Sequence, residues 1–254
     1  NEPDLKSIPP HDTRYISSKK IALELEELIS QEAIKVCENV KHLYILLSGG
    51  LDSRIIAGIL ANLYHRKMIQ VKPIAITWGK PNSRDVVYAK LVADILKIDF
   101  KNVEILPEHL MENIDTVSQI LGGAISPVHL HRMSWCKSLP KDAVVITGSY
   151  GGNVGPTEFS HKNILGLDLL YPVDKYDLLK KDVLEAGSDN LNKDLIEFRK
   201  RTQSTSKYVL CEYEMYGHYM RGMIGEAMNV INSYCTVYNM LTDPAVYSFM
   251  WSIH

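Results

Sequence analysis

Ser48-Gly49-Gly50-Leu51-Asp52-Ser53 is the stretch of this 254-residue chain with the densest chemical content. Adjacent glycines let the backbone approach an anion, the two hydroxyls add donors, and a carboxylate stands among them. The flanks give the stretch its meaning. Leu43 to Leu47 is an unbroken apolar run, which reads as a strand buried on both faces. Ile55, Ile56, Ile59, Leu60 and Leu63 follow at helical spacing on one face. A buried strand, a glycine turn and a helix start present free N–H groups and the positive end of a helix dipole, a geometry that holds phosphate. No Gly-x-x-x-x-Gly-Lys-Ser/Thr occurs and no lysine lies in the turn, so the device is not the Walker one. A carboxylate beside phosphate is useful when a divalent cation bridges the two, and Mg²⁺ favours that ligand set. Asp52 is therefore the candidate metal ligand. The competing role for Asp52 or Ser53 is a plain helix N-cap.

The elements that must position this turn can be read outward from it. A helix is expected from Ser17 or Ser18, with Ser18 as its cap and Ile21, Leu25, Leu28, Ile29, Ile34 and Val36 as its apolar stripe. Val71 to Thr77 reads as a second strand, and Asp85 to Ile95 as a helix with Val87, Leu91, Val92 and Ile95 inward. Val103 to Ile105 and Ala143 to Thr147 read as third and fourth strands. Strands alternating with helices imply an α/β fold with a doubly wound parallel sheet, in which ligands lie beyond the carboxyl ends of the strands. Ser48–Ser53, Thr77–Gly79 and Gly148–Gly155 all fall at such ends. Beyond Pro156, amphipathic stretches at 175–186, 192–203 and 207–232 read as a C-terminal helical cap. Its tyrosines (Tyr208, Tyr213, Tyr216, Tyr219, Tyr234, Tyr238) serve either packing or a pocket wall. The expected division is an extended lead-in at 1–18, an α/β domain at 19–156 and a helical part at 157–254.

Composition narrows the class. Hydrophobic content of 46% and charged content of 23% are ordinary for a globular domain, and a net charge of −2 gives no field for nucleic acid. Arg199-Lys200-Arg201 reads as a solvated helix face. No apolar run is long enough to cross a membrane. Cys37, Cys136, Cys211 and Cys235 show no Cys-x-x-Cys spacing, which argues against zinc or a disulfide scaffold and fits a reducing cytoplasm. The first residue is Asn1, as expected of a processed product or a piece of a longer protein.

Ser48–Ser53 resembles the SGGxDS pyrophosphate loop of the PP-loop ATP pyrophosphatase superfamily, whose members cleave ATP to AMP and pyrophosphate. Within it, the chain is similar to the synthetase domain of asparagine synthetase. The resemblance lies in Ala75-Ile76-Thr77-Trp78-Gly79 with Asp85, Tyr88-Ala89 and Val92-Ala93 after it, in Val144 to Gly148, and in Asn239 to Pro244 followed by Val246, Phe249 and Met250. It implies an adenine nucleotide alpha-hydrolase-like fold, ATP and Mg²⁺ as cofactors, and a small-molecule carboxylate as substrate. ATP would then be held by Leu47, Ser48, Gly49, Gly50, Leu51, Asp52, Ser53, Thr77, Trp78, Gly148 and Ser149, with Mg²⁺ on Asp52, itself a candidate catalytic residue. Arg221 is the other, as it shares a helical stretch with Glu212 and Glu214, either in a structural ion pair or as a substrate clamp.

The departures from the family are specific. Its second loop normally carries acids, whereas Thr147-Gly148-Ser149-Tyr150-Gly151-Gly152-Asn153 has none, and the nearest carboxylate is Glu158. The family's late catalytic lysine would fall after His254, leaving Lys80, Lys200 or Lys207 as replacements. No glutaminase domain precedes the loop, so a separate ammonia- or amine-supplying domain or subunit is the expected partner. Two readings follow: an adenylating, AMP-forming carbon–nitrogen ligase, or a nucleotide-binding scaffold without turnover. A tRNA base as acceptor is disfavoured by the charge. His129 and His131 would lie on one face of a strand; surface or core histidines are the simpler account, with a metal pair or, with Arg132, a substrate contact as the alternatives.

Overall fold

Leu43–Leu46 (β1) forms the centre of a five-stranded, all-parallel sheet in a computed structural model that describes residues 13–151, 179–202, 220–222 and 224–253. On one side β1 pairs with Pro73–Trp78 (β2), which pairs with Asp99–Val103 (β3). On the other it pairs with Val144–Thr147 (β4), and β4 pairs with Thr236–Asn239 (β5). The order β3-β2-β1-β4-β5 reverses direction between β1 and β4. Loops leaving two strands in opposite directions open a crevice there, beyond the carboxyl ends. Leu46 is level with Ile76 on one side and Thr147 on the other, so three loops leave the sheet at one height.

Alternation along the strands feeds two cores. Leu43, Ile45 and Leu47 point into one, against Ser18–Val36 (α1), Leu51–His65 (α2), Arg84–Leu96 (α3) and Pro244–Trp251 (α7). Tyr44, Leu46 and Val145 point to the opposite face, against Pro107–Leu121 (α4), Glu226–Asn232 (α6) and the 3₁₀ turns Pro127–Leu130 and Met133–Ser138. Lys181–Thr202 (α5) is the remaining described helix. The doubly wound α/β architecture expected from the alternation is present.

Several details differ from the sequence reading. The side chain that caps α1 is Ser17, whose hydroxyl accepts from the Lys20 N–H at 3.4 Å, not Ser18. In α3 the buried face is Val86, Ala89 and Ala93, while Val87, Leu91 and Ile95 are exposed. Both sets have helical spacing. The two alanines win because their small side chains let the helix lie close to the sheet. Ile55 likewise faces out from α2. The third strand is Asp99–Val103, an edge strand with mixed polarity that hides from a hydrophobic scan. Residues 127–130 form a 3₁₀ turn, so His129 and His131 do not share a strand face. The C-terminal part, read as a helical cap, also contributes β5 after its last helical stretch, a strand too short and polar to stand out. The part of the 207–232 stretch from 207 to 219 lies outside the described residues.

β5 is tied back to the first helix by the Tyr238 hydroxyl, which donates to Glu32 Oε1 at 2.6 Å across 206 residues of sequence. That bond, opposed by burial and helped by Lys35, holds the Glu32 carboxyl below the ordinary carboxylate range. Burial and the Glu32 carboxylate push the Tyr238 phenol up. Tyr238→Phe is expected to cost about 1 kcal/mol at pH 7 by urea unfolding. A group depressed in the fold stabilises fully above its unfolded value and loses that contribution as pH falls through the folded value. The difference between wild type and Tyr238→Phe should therefore shrink when unfolding is repeated at about pH 3.

Candidate functional site

The turn after β1 is built by its serines. The Ser48 N–H donates to Ser53 Oγ at 3.1 Å, the two hydroxyls lie 3.1 Å apart, and the Gly50 N–H donates to Ser48 Oγ at 3.1 Å. Ser53 is 8% exposed, so one buried hydroxyl organises the loop. The residue that begins α2 is Gly50, which has no side chain to cap the helix. The helix therefore meets the crevice with no side-chain cap at its N-cap position and with Asp52 in its first turn.

The turn after β4 closes onto the same place. A Cβ built on Gly148 would lie 2.8 Å from the Ser53 nitrogen and 2.9 Å from the Asp52 carbonyl carbon. One built on Gly151 would lie 2.5 and 2.6 Å from the two carboxylate oxygens of Asp52. Between these glycines Tyr150 takes φ = +76°, unusual for a residue with a side chain. Thr147 and Ser149 hold the turn through hydroxyls 2.6 Å apart and a Ser149 N–H to Thr147 Oγ1 bond of 2.9 Å. The two glycine loops thus interlock, Gly148 against backbone of Asp52 and Ser53 and Gly151 against the Asp52 side chain. A divalent cation bridging Asp52 to an anion fits this cradle: glycine backbone, serine hydroxyls and a carboxylate converge on one open helix end.

Above the loops lies a cavity of about 510 Å³. Of the residues expected to hold a ligand, Leu47, Ser48, Gly50, Asp52, Ser53, Thr77, Trp78, Gly148 and Ser149 line it. Thr77 Oγ1 donates to the Leu47 carbonyl at 2.5 Å and so ties the ends of β1 and β2 together. Gly49 turns aside toward α3, where an added Cβ would meet Tyr88 Cβ at 3.3 Å. Leu51 is 68% exposed. Arg221 is exposed and is not among the lining residues. Glu212, Glu214, Lys207, Asn153, Glu158 and the tyrosines at 208, 213, 216 and 219 lie outside the described residues. Lys80 and Lys200 are exposed, and no lysine or arginine lines the cavity among the described residues.

The cavity also gathers residues without an assigned role in the sequence reading: Asp85 from the first turn of α3, Tyr150, and Met228 from α6. His129 and His131 line it as well. Asn113 of α4 places the second of these. It is fully buried, and its amide donates to the Pro127 carbonyl at 3.1 Å and the His131 carbonyl at 2.9 Å. His131 itself sits at φ = +46°, ψ = −109°, a backbone state that costs on the order of 1–3 kcal/mol and must be imposed by its surroundings. Its ring stays accessible through the cavity mouth, yet the protein packed around it pushes its pKa down, His129 adds to that, and Asp85 opposes it. Arg132 turns away to Glu112, 3.0 Å distant, and does not line the cavity. No group of three or more His, Cys, Asp or Glu side chains that could hold a metal ion occurs among the described residues. No described helix is long and apolar enough to cross a membrane.

A parallel sheet whose strand order reverses beside a glycine loop is an arrangement that receives ligands beyond the carboxyl ends of its strands. Residues 24–149 match the asparagine synthase family. The chain is also similar to NMN synthetase from Francisella tularensis, at 16% identity over 81% of this chain and 95% of that one with a TM-score of 0.41, too distant a likeness to transfer chemistry. No curated protein matches the chain.

The interlock generates a direct expectation. Gly148→Ala drives a methyl into backbone that cannot swing aside without moving the start of α2, and should cost about 1–3 kcal/mol. Gly151→Ala meets only the movable Asp52 side chain and should cost well under that. Parallel urea titrations of the two variants check the ordering.

Proposed function

We propose that the protein is an ATP-dependent, AMP-forming ligase that activates a small-molecule carboxylate for attack by ammonia or an amine. The observation that carries this reading is the double-glycine cradle closed around Asp52 at the reversal of the sheet. In it the uncapped start of α2 and the hydroxyls of Ser48 and Ser53 hold the β- and γ-phosphates. Leu47, Thr77 and Trp78 form the wall against the adenine. Asp52 would hold Mg²⁺, which when bound offsets charge on the pyrophosphate. The substrate carboxylate oxygen forms a bond to the α-phosphorus as the bond to pyrophosphate breaks. The amine nitrogen then forms a bond to the carbonyl carbon, and AMP leaves with the electron pair of the broken C–O bond. Positioning supplies most of the rate in such transfers, and a rigid cradle suits that task.

One observation favours binding without turnover: no lysine or arginine lines the cavity among the described residues. Pyrophosphate release from ATP, assayed across the twenty amino acids and C2–C6 mono- and dicarboxylates, separates the two. Release dependent on one acid supports the ligase. Nucleotide binding with no release from any acid supports the scaffold.

Two expectations concern the nucleotide. Asp52→Asn keeps the fold but removes the metal-facing charge, and should weaken Mg²⁺-dependent ATP binding by roughly 1.5–3 kcal/mol. Gly151→Ala, which displaces the same carboxylate, should weaken it in the same direction. Calorimetry with ATP in the presence and absence of Mg²⁺ checks both. ATP should also be preferred over GTP, because Leu47, Thr77 and Trp78 put no carboxylate where a guanine amino group would need one. Competition binding with equal affinities for the two would remove the adenine assignment.

A further inference from the structure

Two imidazoles in a nucleotide-sized cavity are unexplained by the cradle. They enter from the 3₁₀ turn at Pro127–Leu130 and the residue after it, whereas the glycine loops enter from the ends of β1 and β4. The turn that carries them is held by a fully buried amide, Asn113, bonded to two of its carbonyls. His131 occupies a backbone state that a loop of surface histidines has no reason to adopt. Among the described residues, the ionisable side chains lining the cavity are Asp52, Asp85, Tyr150, His129 and His131. Of these side-chain types, the imidazole is the one suited to taking a proton from an attacking amine near neutral pH.

We propose that His131 is the general base of the amine-transfer step, with the Asp85 carboxylate stabilising the imidazolium that forms. The inference rests on the ligase reading above and assigns the acceptor end of the same cavity. As the nitrogen attacks the carbonyl carbon, the new C–N bond forms and the C–O bond to AMP breaks. The proton released by that nitrogen passes to a ring nitrogen of His131 and from there to solvent through the cavity mouth. The groups that bear on the ring are His129 on its own turn and Asp85 from α3; α4 offers the neutral Asn113, and its Glu112 is engaged by Arg132. Desolvation and His129 keep His131 neutral, hence competent, below its ordinary value. At a constant concentration of unprotonated ammonia, the transfer rate therefore rises with pH along a limb centred below pH 6.5 and is flat above it.

The test separates the two half-reactions in the intact chain, using the acid that scores in the pyrophosphate screen and ammonia as the nucleophile. His131→Gln is expected to keep ATP–pyrophosphate exchange within threefold of wild type. Amide formation should fall by about 10²–10³-fold and lose its acidic limb. Two further variants read the limb with His131 in place: Asp85→Asn should move it to lower pH and His129→Gln to higher pH. These keep the proposal testable if His131→Gln folds poorly. Amide formation within threefold of wild type with an unchanged limb overturns the proposal. So does loss of exchange together with transfer in a folded His131→Gln, which would put the imidazole in the nucleotide half. Absence of exchange in the wild type with every acid brings down the ligase reading itself, and this inference with it.

Discussion

The close approach of two backbones at the centre of the sheet is the constraint on which the rest depends. The turn after β4 runs so near the first residues of α2 that position 148 admits only a hydrogen, and position 151 is held against the Asp52 carboxylate. That approach fixes the depth of the crevice and the aim of the helix N-terminus. It also fixes where Asp52 stands. Strand register makes it possible, since β1 and β4 end level with each other and their loops emerge together. A larger residue at 148 would separate the loops, and the anion end of the cavity would lose its shape.

Electrostatically the cavity is unusual for a site built around phosphates. Its described walls carry two carboxylates, two imidazoles and no lysine or arginine. Attraction for an anion must therefore come from N–H groups at the start of α2, from the hydroxyls organised by Ser53, and from any cation held by Asp52. Preorganised dipoles of this kind need no reorganisation when charge develops. They depend on rigidity, and the ladder from β2 through Thr77 to the Leu47 carbonyl supplies it.

The turn that carries the histidines is organised by a different principle. Asn113 buries an amide to hold the carbonyls of an irregular turn, and the turn holds His131 in a strained backbone state facing the cavity. A buried polar side chain that satisfies backbone groups of a loop fixes that loop more tightly than apolar packing does, because the bonds are directional.

The sequence by itself determined the class of fold and the strand, glycine turn and helix at its centre. A buried strand, two glycines and a helix stripe are local features, and local geometry follows from residue type and spacing; the family match over 24–149 agrees. It also placed Thr77, Trp78 and Gly148 near one another, because every parallel strand ends on the same side. Tertiary structure decided what local pattern leaves degenerate. Either stripe of α3 could have faced inward, and only the closeness of the sheet selected Ala89 and Ala93 over Leu91 and Ile95. β5 is recognisable only through its pairing with β4, four residues of mixed polarity having no signature alone. Asp85 and the histidines reach the cavity through contacts between segments far apart in the chain, with Asn113 as the link between α4 and the turn. No spacing rule encodes such a meeting, because it is set by how helices pack on the sheet.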